Sequence, residues 1–183
     1  EEKKVVRQNL GILPDETVFG VFARLAPVKG HTYFIEAAKQ FLQKGAKGKF
    51  LIVGDGPLMD TLKSEAAGVP EILFTGYVPD TTQLLNITDV NVISSSSEAM
   101  SLAILEAMSL KKPTVATNVG GNPQLVHHQN NGLLTEYADS GGMADAFLTM
   151  AEDPAFYQKC AENAGDLYKR QFTAEIMVKH LEQ

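Results

Sequence analysis

The sequence predicts an α/β fold in which helices cover both faces of one parallel β-sheet of about six strands. Short apolar runs rich in β-branched residues recur along the 183-residue chain, and each is followed by a turn rich in Gly, Pro or Ser. A stretch with the apolar spacing of an amphipathic helix comes next. Strands that alternate with helices imply right-handed crossovers, which make the strands parallel.

The strands and helices can be placed in order along the chain. The predicted strands cover residues 18–23, 49–53, 72–75, 90–93, 113–116 and 132–135. The helix that begins near His31 has four apolar residues on one face, namely Phe34, Ala37, Ala38 and Phe41. Pro57 is expected in the first turn of the next helix, where an amide hydrogen is not needed. A helix over 101–110 follows the fourth strand, and a helical C-terminal third begins at Gly142, which completes a Rossmann-like three-layer sandwich.

Composition and charge narrow the function classes. The chain has 44% hydrophobic and 21% charged residues and a net charge of −6, which argue against disorder and against broad nucleic-acid binding. Cys160 is the only cysteine, so it cannot form an internal disulfide, and it is expected to be a small buried residue. No signal peptide and no run of ~18 apolar residues is present, so a cytoplasmic protein is expected. The chain begins without Met, which suggests a fragment whose upstream part is missing.

The candidate site residues lie in the loops that leave the carboxyl ends of the strands, because the ligand of an open parallel sheet binds there. These loops contain two cations, several glycines, an aromatic residue and a carboxylate: Arg24, Lys29, Gly54, Gly56, Gly76, Tyr77, Glu98, Gly120 and Gly121. Cations and helix N-termini offset the charge of phosphate, and glycines let phosphate approach the backbone. A phosphorylated ligand is therefore the simplest interpretation.

Several common nucleotide and catalytic motifs are absent or incomplete. The turn at Gly54 begins like a dinucleotide-binding fingerprint, but Met59 stands where a third small residue is needed, which disfavours a dehydrogenase. No P-loop or nucleophile elbow occurs, and the serine run 94–97 has no evident base. His127 and His128 lack metal-ligand spacing and are expected in a solvated loop or helix end. No Asp-x-Asp pair is present to hold a metal that bridges a diphosphate, so no metal is expected.

The segment from Glu98 to Met108 is the most informative, because seven residues separate its two glutamates. Glu98 lies in the loop after the fourth strand, and Glu106 lies about one turn inside the following helix. Free amides at the start of that helix would point at a ligand anion. Glu106 taken alone is typical of a solvent-facing helix. Beside those amides it would repel phosphate unless it faced hydroxyl groups such as those of a ribose.

These motifs resemble, in order and spacing, the nucleotide-sugar-binding half of retaining glycosyltransferases with the GT-B fold, of the kind grouped in glycosyltransferase family 4. The shared motifs are Arg24-Leu-Ala-Pro-Val-Lys29-Gly30, Gly54-Asp-Gly-Pro57, Gly76-Tyr-Val78, Glu98 to Met108, Pro113-Thr-Val115 and Gly120-Gly121. The resemblance runs from about Arg7 to the C-terminus. It implies that residues 1–183 form a single nucleotide-sugar-binding domain and that the family's N-terminal acceptor-binding domain is absent from this chain.

The resemblance also implies a role for each site residue. Arg24 and Lys29 would contact the donor diphosphate, and the backbone at Val78 would contact the base. Glu98, with the amides at the start of the next helix, would hold the donor sugar and phosphate, and Glu106 would bind the ribose. The donor-binding set is Arg24, Lys29, Gly54, Val78, Met100, Ser101, Leu102 and Glu106, and the catalytic residue is Glu98.

Three positions depart from the family pattern. Ala99 and Ser101 stand where many relatives carry glycine, so the backbone there can approach a sugar only with negative φ. This departure bears on which sugar is bound. Gln124 replaces a glutamate that is often found after the Gly-Gly turn, and the sequence supplies no role for the lost charge.

The first functional hypothesis is the donor-binding domain of a transferase that moves a sugar from a nucleoside-diphosphate sugar to a hydroxyl acceptor with retention of configuration. No metal or other cofactor is expected, and the isolated domain is expected to be inactive. The expected partners are the donor, the missing N-terminal domain and a glycan, lipid or small-molecule acceptor, and not nucleic acid. The competing hypothesis is a non-catalytic nucleotide-sugar binding module or one subunit of a split transferase. The base, the sugar, the acceptor and any membrane contact through the missing domain stay open.

Overall fold

The computed structural model describes residues 2–181, which form six strands, nine α-helices and a short 3-10 helix over Pro27–Lys29. The strands are β1 (Thr17–Phe22), β2 (Gly48–Val53), β3 (Ile72–Gly76), β4 (Val90–Ile93), β5 (Thr114–Thr117) and β6 (Gly132–Thr135). The helices are α1 (Glu2–Asn9), α2 (His31–Gln43), α3 (Met59–Glu65), α4 (Thr82–Ile87), α5 (Leu102–Ser109), α6 (Asn122–Leu125), α7 (Ser140–Glu152), α8 (Pro154–Gln171) and α9 (Ala174–Leu181).

The strands form one sheet in the order β3-β2-β1-β4-β5-β6, and every neighbouring pair is parallel. The chain runs outward from β1 to β3, returns to the centre at β4 and then runs outward on the other side. This reversal opens a crevice between the carboxyl ends of β1 and β4, which is where open α/β sheets bind their ligands. The predicted Rossmann-like parallel sheet is confirmed.

Five phenylalanines lie together in the core between the sheet and the helices α2 and α7. Phe19 of β1 lies at the centre, with its ring centroid 4.6 Å from that of Phe147 and 5.2 Å from that of Phe50. Phe34 and Phe41 pack edge-on against these rings from α2. All five rings are fully buried. On the opposite face α5 packs against α8 over a second apolar cluster, so the sheet is covered on both sides.

The helix boundaries differ from the sequence prediction by a few residues, because side-chain caps decide them. Ser101 is the N-cap of α5 and accepts a hydrogen bond from the amide of Ile104, so the helix proper begins one residue later than predicted. Asp139 caps α7 in the same way and moves its start to Ser140.

Two further differences have different causes. Pro57 lies ahead of α3 rather than in its first turn, because Leu58 is the N-cap. The sequence does not predict α1, because its only apolar residues, Val5 and Val6, are adjacent and give no helical spacing. In the structure Val6 packs at the margin of an apolar cluster that includes Ile12 and Val18.

Candidate functional site

The crevice between β1 and β4 contains a cavity of about 290 Å³. Its walls are the loop after β1 and the loop from β4 into α5. Of the nine residues that the sequence assigns to donor binding or catalysis, six line this cavity, namely Arg24, Lys29, Glu98, Met100, Ser101 and Leu102. The structure therefore brings together the predicted diphosphate cations, the carboxylate predicted to be catalytic and the start of α5.

The loop that carries Arg24 rests on the glycine turn after β2. A Cβ on Gly54 or Gly56 would collide with the carbonyl oxygens of Ala23 and Leu25, respectively. The amide of Leu25 donates to the carbonyl of Asp55 at 3.0 Å, which closes the contact. Because Gly54 and Gly56 have no side chain, the backbone of Ala23 and Leu25 can pack against them, and this space is not available to phosphate.

Gly54 does not line the cavity, and its amide already donates to the carbonyl of Gly76 at 3.0 Å. Its structural role is to shape the loop that carries Arg24. A direct contact between Gly54 and a donor stays a prediction.

Lys29 and Glu98 form an ion pair across the crevice. Lys29 Nζ lies 2.8 Å from Glu98 Oε1, and the two side chains are 29% and 12% exposed. Ser95 Oγ donates to the same carboxylate oxygen at 2.7 Å. The backbone beneath Lys29 is held as well, because Ser94 Oγ donates to the Lys29 carbonyl at 2.8 Å. In the ligand-free protein the charge of Lys29 is therefore already offset.

The turn at Gly120 and Gly121 packs against the loop between β4 and α5 that contains Glu98, here called the Glu98 loop. The amide of Gly121 donates to the Glu98 carbonyl at 3.0 Å. A Cβ on Gly120 would collide with that carbonyl oxygen, and a Cβ on Gly121 would collide with the carbonyl oxygen of Ala99. Only glycine lets the two loops approach so closely, which explains the Gly-Gly pair in physical terms.

Gly120→Ala is expected to destabilise the protein by about 1–3 kcal/mol more than Gly45→Ala does, because only Gly120 is overpacked by an added methyl group. The φ angles are 51° at Gly120 and 80° at Gly45, so both variants place alanine in the left-handed region. No atom of residues 2–181 lies within 4 Å of a Cβ placed on Gly45. Urea unfolding followed by circular dichroism compares the two variants. Equal losses would show that the Glu98 loop moves aside freely.

The start of α5 faces the crevice with unpaired amides. Among the described residues, the amides of Leu102 and Ala103 have no hydrogen-bond acceptor. The first turn of a helix carries a partial positive charge, so these amides suit an anion. Ser101 has a φ of −84°, and Ala99 is not among the residues with positive φ, as expected for non-glycine residues there.

Val78 and Glu106 lie outside this cavity. Glu106 is exposed on α5 and lines a separate hollow of about 400 Å³ together with residues 79–82. Val78 lines a neighbouring groove, and neither its amide nor its carbonyl is hydrogen-bonded within residues 2–181. Leu102 and Glu106 are four residues apart on α5, a rise of about 6 Å, so α5 connects the crevice to the hollow.

His31 is a buried group beside the site that the sequence does not single out. The residue is 1% exposed, and neither ring nitrogen has a hydrogen-bond partner within the described residues. Burial, with a smaller contribution from the charge of Lys29, lowers the pKa of His31 to about 4. The imidazole is therefore neutral near pH 7 and adds no positive charge to the crevice.

The remaining sequence expectations concern metals, histidines and the cysteine. Within residues 2–181 no group of three or more His, Cys, Asp or Glu side chains is arranged to hold a metal, and metal independence stays a prediction. His127 and His128 are exposed in the segment before β6, as expected. Cys160 is fully buried, as expected, and burial raises its thiol pKa to about 11.

A larger groove of about 990 Å³ lies between α1 and the segment before β1. Two of its acidic residues are paired, because Arg7 lies 3.4 Å from Asp89 and Lys47, from outside the groove, lies 2.9 Å from Asp15. Thr17 and Asp89, at the amino ends of β1 and β4, line this groove, so it lies at the edge of the sheet opposite to the crevice. No helix in the described part of the chain is both long and apolar enough to cross a membrane.

Sequence reasoning misses Ser95 and Thr117, which shape the site. Thr117 Oγ1 donates to the carbonyl of Ser95 at 2.7 Å, and Ser95 in turn donates to Glu98. The available signal is the three-residue separation of Ser95 from Glu98, a distance at which a loop hydroxyl can reach a side chain. The serine run 94–97 obscures it, because four neighbouring serines look equivalent.

The chain is similar to known proteins over most of its length. A family model described as Glycosyl transferases group 1 matches residues 16–153. The chain is 35% identical over 150 residues to the UDP-Gal:alpha-D-GlcNAc-diphosphoundecaprenol alpha-1,3-galactosyltransferase of Escherichia coli. The aligned region covers 79% of this chain and 39% of that protein.

Solved structures agree with the sequence comparison. Anabaena HepE in complex with UDP and glucose has a TM-score of 0.91 and 28% identity, with 99% of this chain and 51% of that chain covered. The C-terminal domain of a glycosyl transferase group 1 family protein (LpcC) from Francisella tularensis has a TM-score of 0.84 and 25% identity, with 95% and 94% covered. The chain thus spans about half of HepE and less than half of the Escherichia coli protein.

Proposed function

The chain belongs to the group 1 glycosyl transferases, and from this premise we propose that it is the donor-binding domain of a retaining glycosyltransferase that uses a UDP-sugar. The observation that carries the proposal is the crevice between β1 and β4. One cavity there holds Arg24, Lys29, Glu98 and the unpaired amides at the start of α5. This combination suits a diphosphate joined to a sugar.

The charges in the crevice suggest how the diphosphate is bound. Lys29 is paired with Glu98, whereas Arg24 is exposed and makes no ion pair within residues 2–181. Arg24 and the start of α5 would therefore receive the diphosphate first. Lys29 would join by sharing its ammonium group between the phosphate and Glu98. Bidentate contacts from the guanidinium of Arg24 are the strongest available to phosphate here.

The nucleoside would extend along α5 away from the crevice. The ribose would lie against Glu106 in the hollow formed with residues 79–82, and the base would bind the free backbone groups of Val78. The choice of uridine is supported by HepE, whose structures contain UDP and UDP-glucose, and by the name of the Escherichia coli relative, which begins with UDP-Gal.

The chemistry assigned to the site is charge stabilisation without a metal. As the bond between sugar and diphosphate breaks, negative charge grows on the leaving oxygen, and Arg24, Lys29 and the amides of α5 would stabilise it. Glu98 would orient the donor sugar through hydrogen bonds to its hydroxyl groups. Retention would follow from acceptor attack on the face from which the diphosphate leaves, without a protein nucleophile.

We expect this chain to bind UDP in the presence of EDTA with a micromolar to millimolar Kd, and to transfer no glucose from UDP-glucose. Binding needs only Arg24, Lys29 and the helix start, whereas transfer needs an acceptor held about 3–3.5 Å from the reacting carbon in a closed site. Calorimetric titration with and without EDTA measures binding. Chromatography of UDP-glucose incubated with a mixture of sugar acceptors measures transfer.

Uridine is the matched control ligand, because it lacks the diphosphate and should bind at least about tenfold more weakly than UDP. Loss of UDP binding on addition of EDTA would contradict metal independence. Efficient and specific glucose transfer by this chain alone would contradict the need for a second domain.

A further inference from the structure

The serine run 94–97 has no role in the function proposed above, yet its members differ in what they contact. Ser94 and Ser95 are 1% and 2% exposed, and their hydroxyl groups donate to the Lys29 carbonyl and to Glu98 Oε1, respectively. These two contacts hold the two partners of the crevice ion pair, one through its backbone and the other through its carboxylate.

Ser96 and Ser97 are exposed and lie outside this arrangement. Ser96 Oγ has a long contact of 3.4 Å with the carbonyl of Val28, and the side chain of Ser97 makes no hydrogen bond to the described residues. Ser97 therefore provides a matched control within the same loop.

The backbone of Ser95 is held in place by β5, and that of Glu98 by the turn that follows this strand. Thr117 Oγ1, at the end of β5, donates to the Ser95 carbonyl at 2.7 Å, and the Gly121 amide donates to the Glu98 carbonyl at 3.0 Å. The backbone on both sides of the Ser95 to Glu98 contact is thereby anchored to β5 and to the turn that follows it. An anchored hydroxyl restricts the carboxylate more strongly than a mobile lysine does, because little rotamer freedom remains to be lost.

We propose that Ser95 is a positioning residue that acts through Glu98. Oε1 of Glu98 accepts from both Ser95 and Lys29, which leaves Oε2 as the oxygen that accepts a hydrogen bond from a hydroxyl group of the donor sugar. Lys29 is shared with the diphosphate once a donor binds, and Ser95 then keeps the carboxylate in place. This inference rests on the proposed function for the identity of the ligand.

The test compares the affinities of Ser95→Ala and Ser97→Ala for UDP-glucose and UDP by calorimetry. Ser95→Ala is expected to weaken UDP-glucose binding about tenfold, the loss of one hydrogen bond to a charged group, and to leave UDP binding within about twofold of the wild type. Ser97→Ala is expected to change neither affinity. Ser95→Thr, which keeps the hydroxyl group, is expected to recover most of the UDP-glucose affinity.

Two results would overturn the role of Ser95. Equal losses for UDP and UDP-glucose would indicate a general disturbance of the loop, and unchanged UDP-glucose binding would show that Glu98 needs no support. A wild-type chain that binds neither ligand would instead refute the proposed function.

Crystal structures of the ligand-free variants decide the role of Ser95 whatever the donor is. Lys29 still pairs with Glu98 in the ligand-free protein, so the comparison is made in a Lys29→Met background, which removes that contact. The Glu98 carboxylate should keep its place in Lys29→Met and in Lys29→Met with Ser97→Ala, and should leave it in Lys29→Met with Ser95→Ala. An unmoved carboxylate in Lys29→Met with Ser95→Ala would overturn the inference.

Discussion

Phe147→Ala is expected to lower the free energy of unfolding by about 3–5 kcal/mol, the range typical of a fully buried phenylalanine. Phe147 joins α7 to the central strands, because its ring lies 4.6 Å from that of Phe19 and 5.8 Å from that of Phe50. The ring of Phe34 on α2 lies 5.9 Å away on the same face. Truncation would leave a cavity at the point where two helices and two strands meet, and these elements cannot all close in on it.

Urea unfolding followed by circular dichroism measures the loss. Phe156→Ala is the matched control, because Phe156 on α8 only packs at the margin of the same cluster and is partly exposed. A smaller loss is expected for it. If Phe147→Ala lost no more stability than Phe156→Ala, the aromatic cluster would not be the main contact between α7 and the sheet.

The core and the sheet follow closely from the sequence. Strands buried on both faces are continuous apolar runs, and the turns between them carry Gly, Pro or Ser, so all six strands are placed within a residue or two. The amphipathic spacing of α2 is equally clear, because Phe34, Ala37, Ala38 and Phe41 are all fully buried. Helix ends are less predictable, since a cap such as Ser101 depends on local hydrogen bonds rather than on periodicity.

The site is predictable only in part, for a reason of distance along the chain. Parallel topology brings the carboxyl ends of β1 and β4 together, so the sequence predicts that Arg24, Lys29 and Glu98 share one edge. It does not predict that Lys29 and Glu98, which are 69 residues apart, bind each other at 2.8 Å. A long side chain such as Lys29 has several candidate partners. The partner that it contacts depends on the tertiary structure, which a local sequence pattern does not predict.

Gly54 illustrates the same limit. A glycine in a loop after a strand indicates that something approaches the backbone closely, and the sequence favours a phosphate. In the structure the approaching group is the carbonyl of Ala23. The residue type reports the need for space, whereas the occupant of that space is known only from the fold.

Glu106 has a geometry that makes its role testable by the sign of an effect. The carboxylate is exposed on α5, beside residues 79–82 and about one helical turn from the amides that suit the diphosphate. If Glu106 had no contact with the ligand, removing its negative charge would leave the binding of an anionic nucleotide unchanged or strengthen it. A direct hydrogen bond to the bound nucleotide has the opposite effect, because its loss makes binding weaker.

Glu106→Ala is therefore expected to weaken UDP binding roughly 10- to 150-fold, the range for a hydrogen bond to a charged group, while the protein stays folded. Glu106→Gln keeps one acceptor oxygen without the charge, so its affinity for UDP should lie between those of Glu106→Ala and the wild type. Calorimetric titration with UDP measures both, and Glu36→Ala, which removes an exposed glutamate in the middle of α2, controls for net charge. Thermal unfolding of each variant confirms that the fold is kept. Unchanged or tighter UDP binding by Glu106→Ala would mean that the ribose lies elsewhere, because the electrostatic change alone acts in that direction.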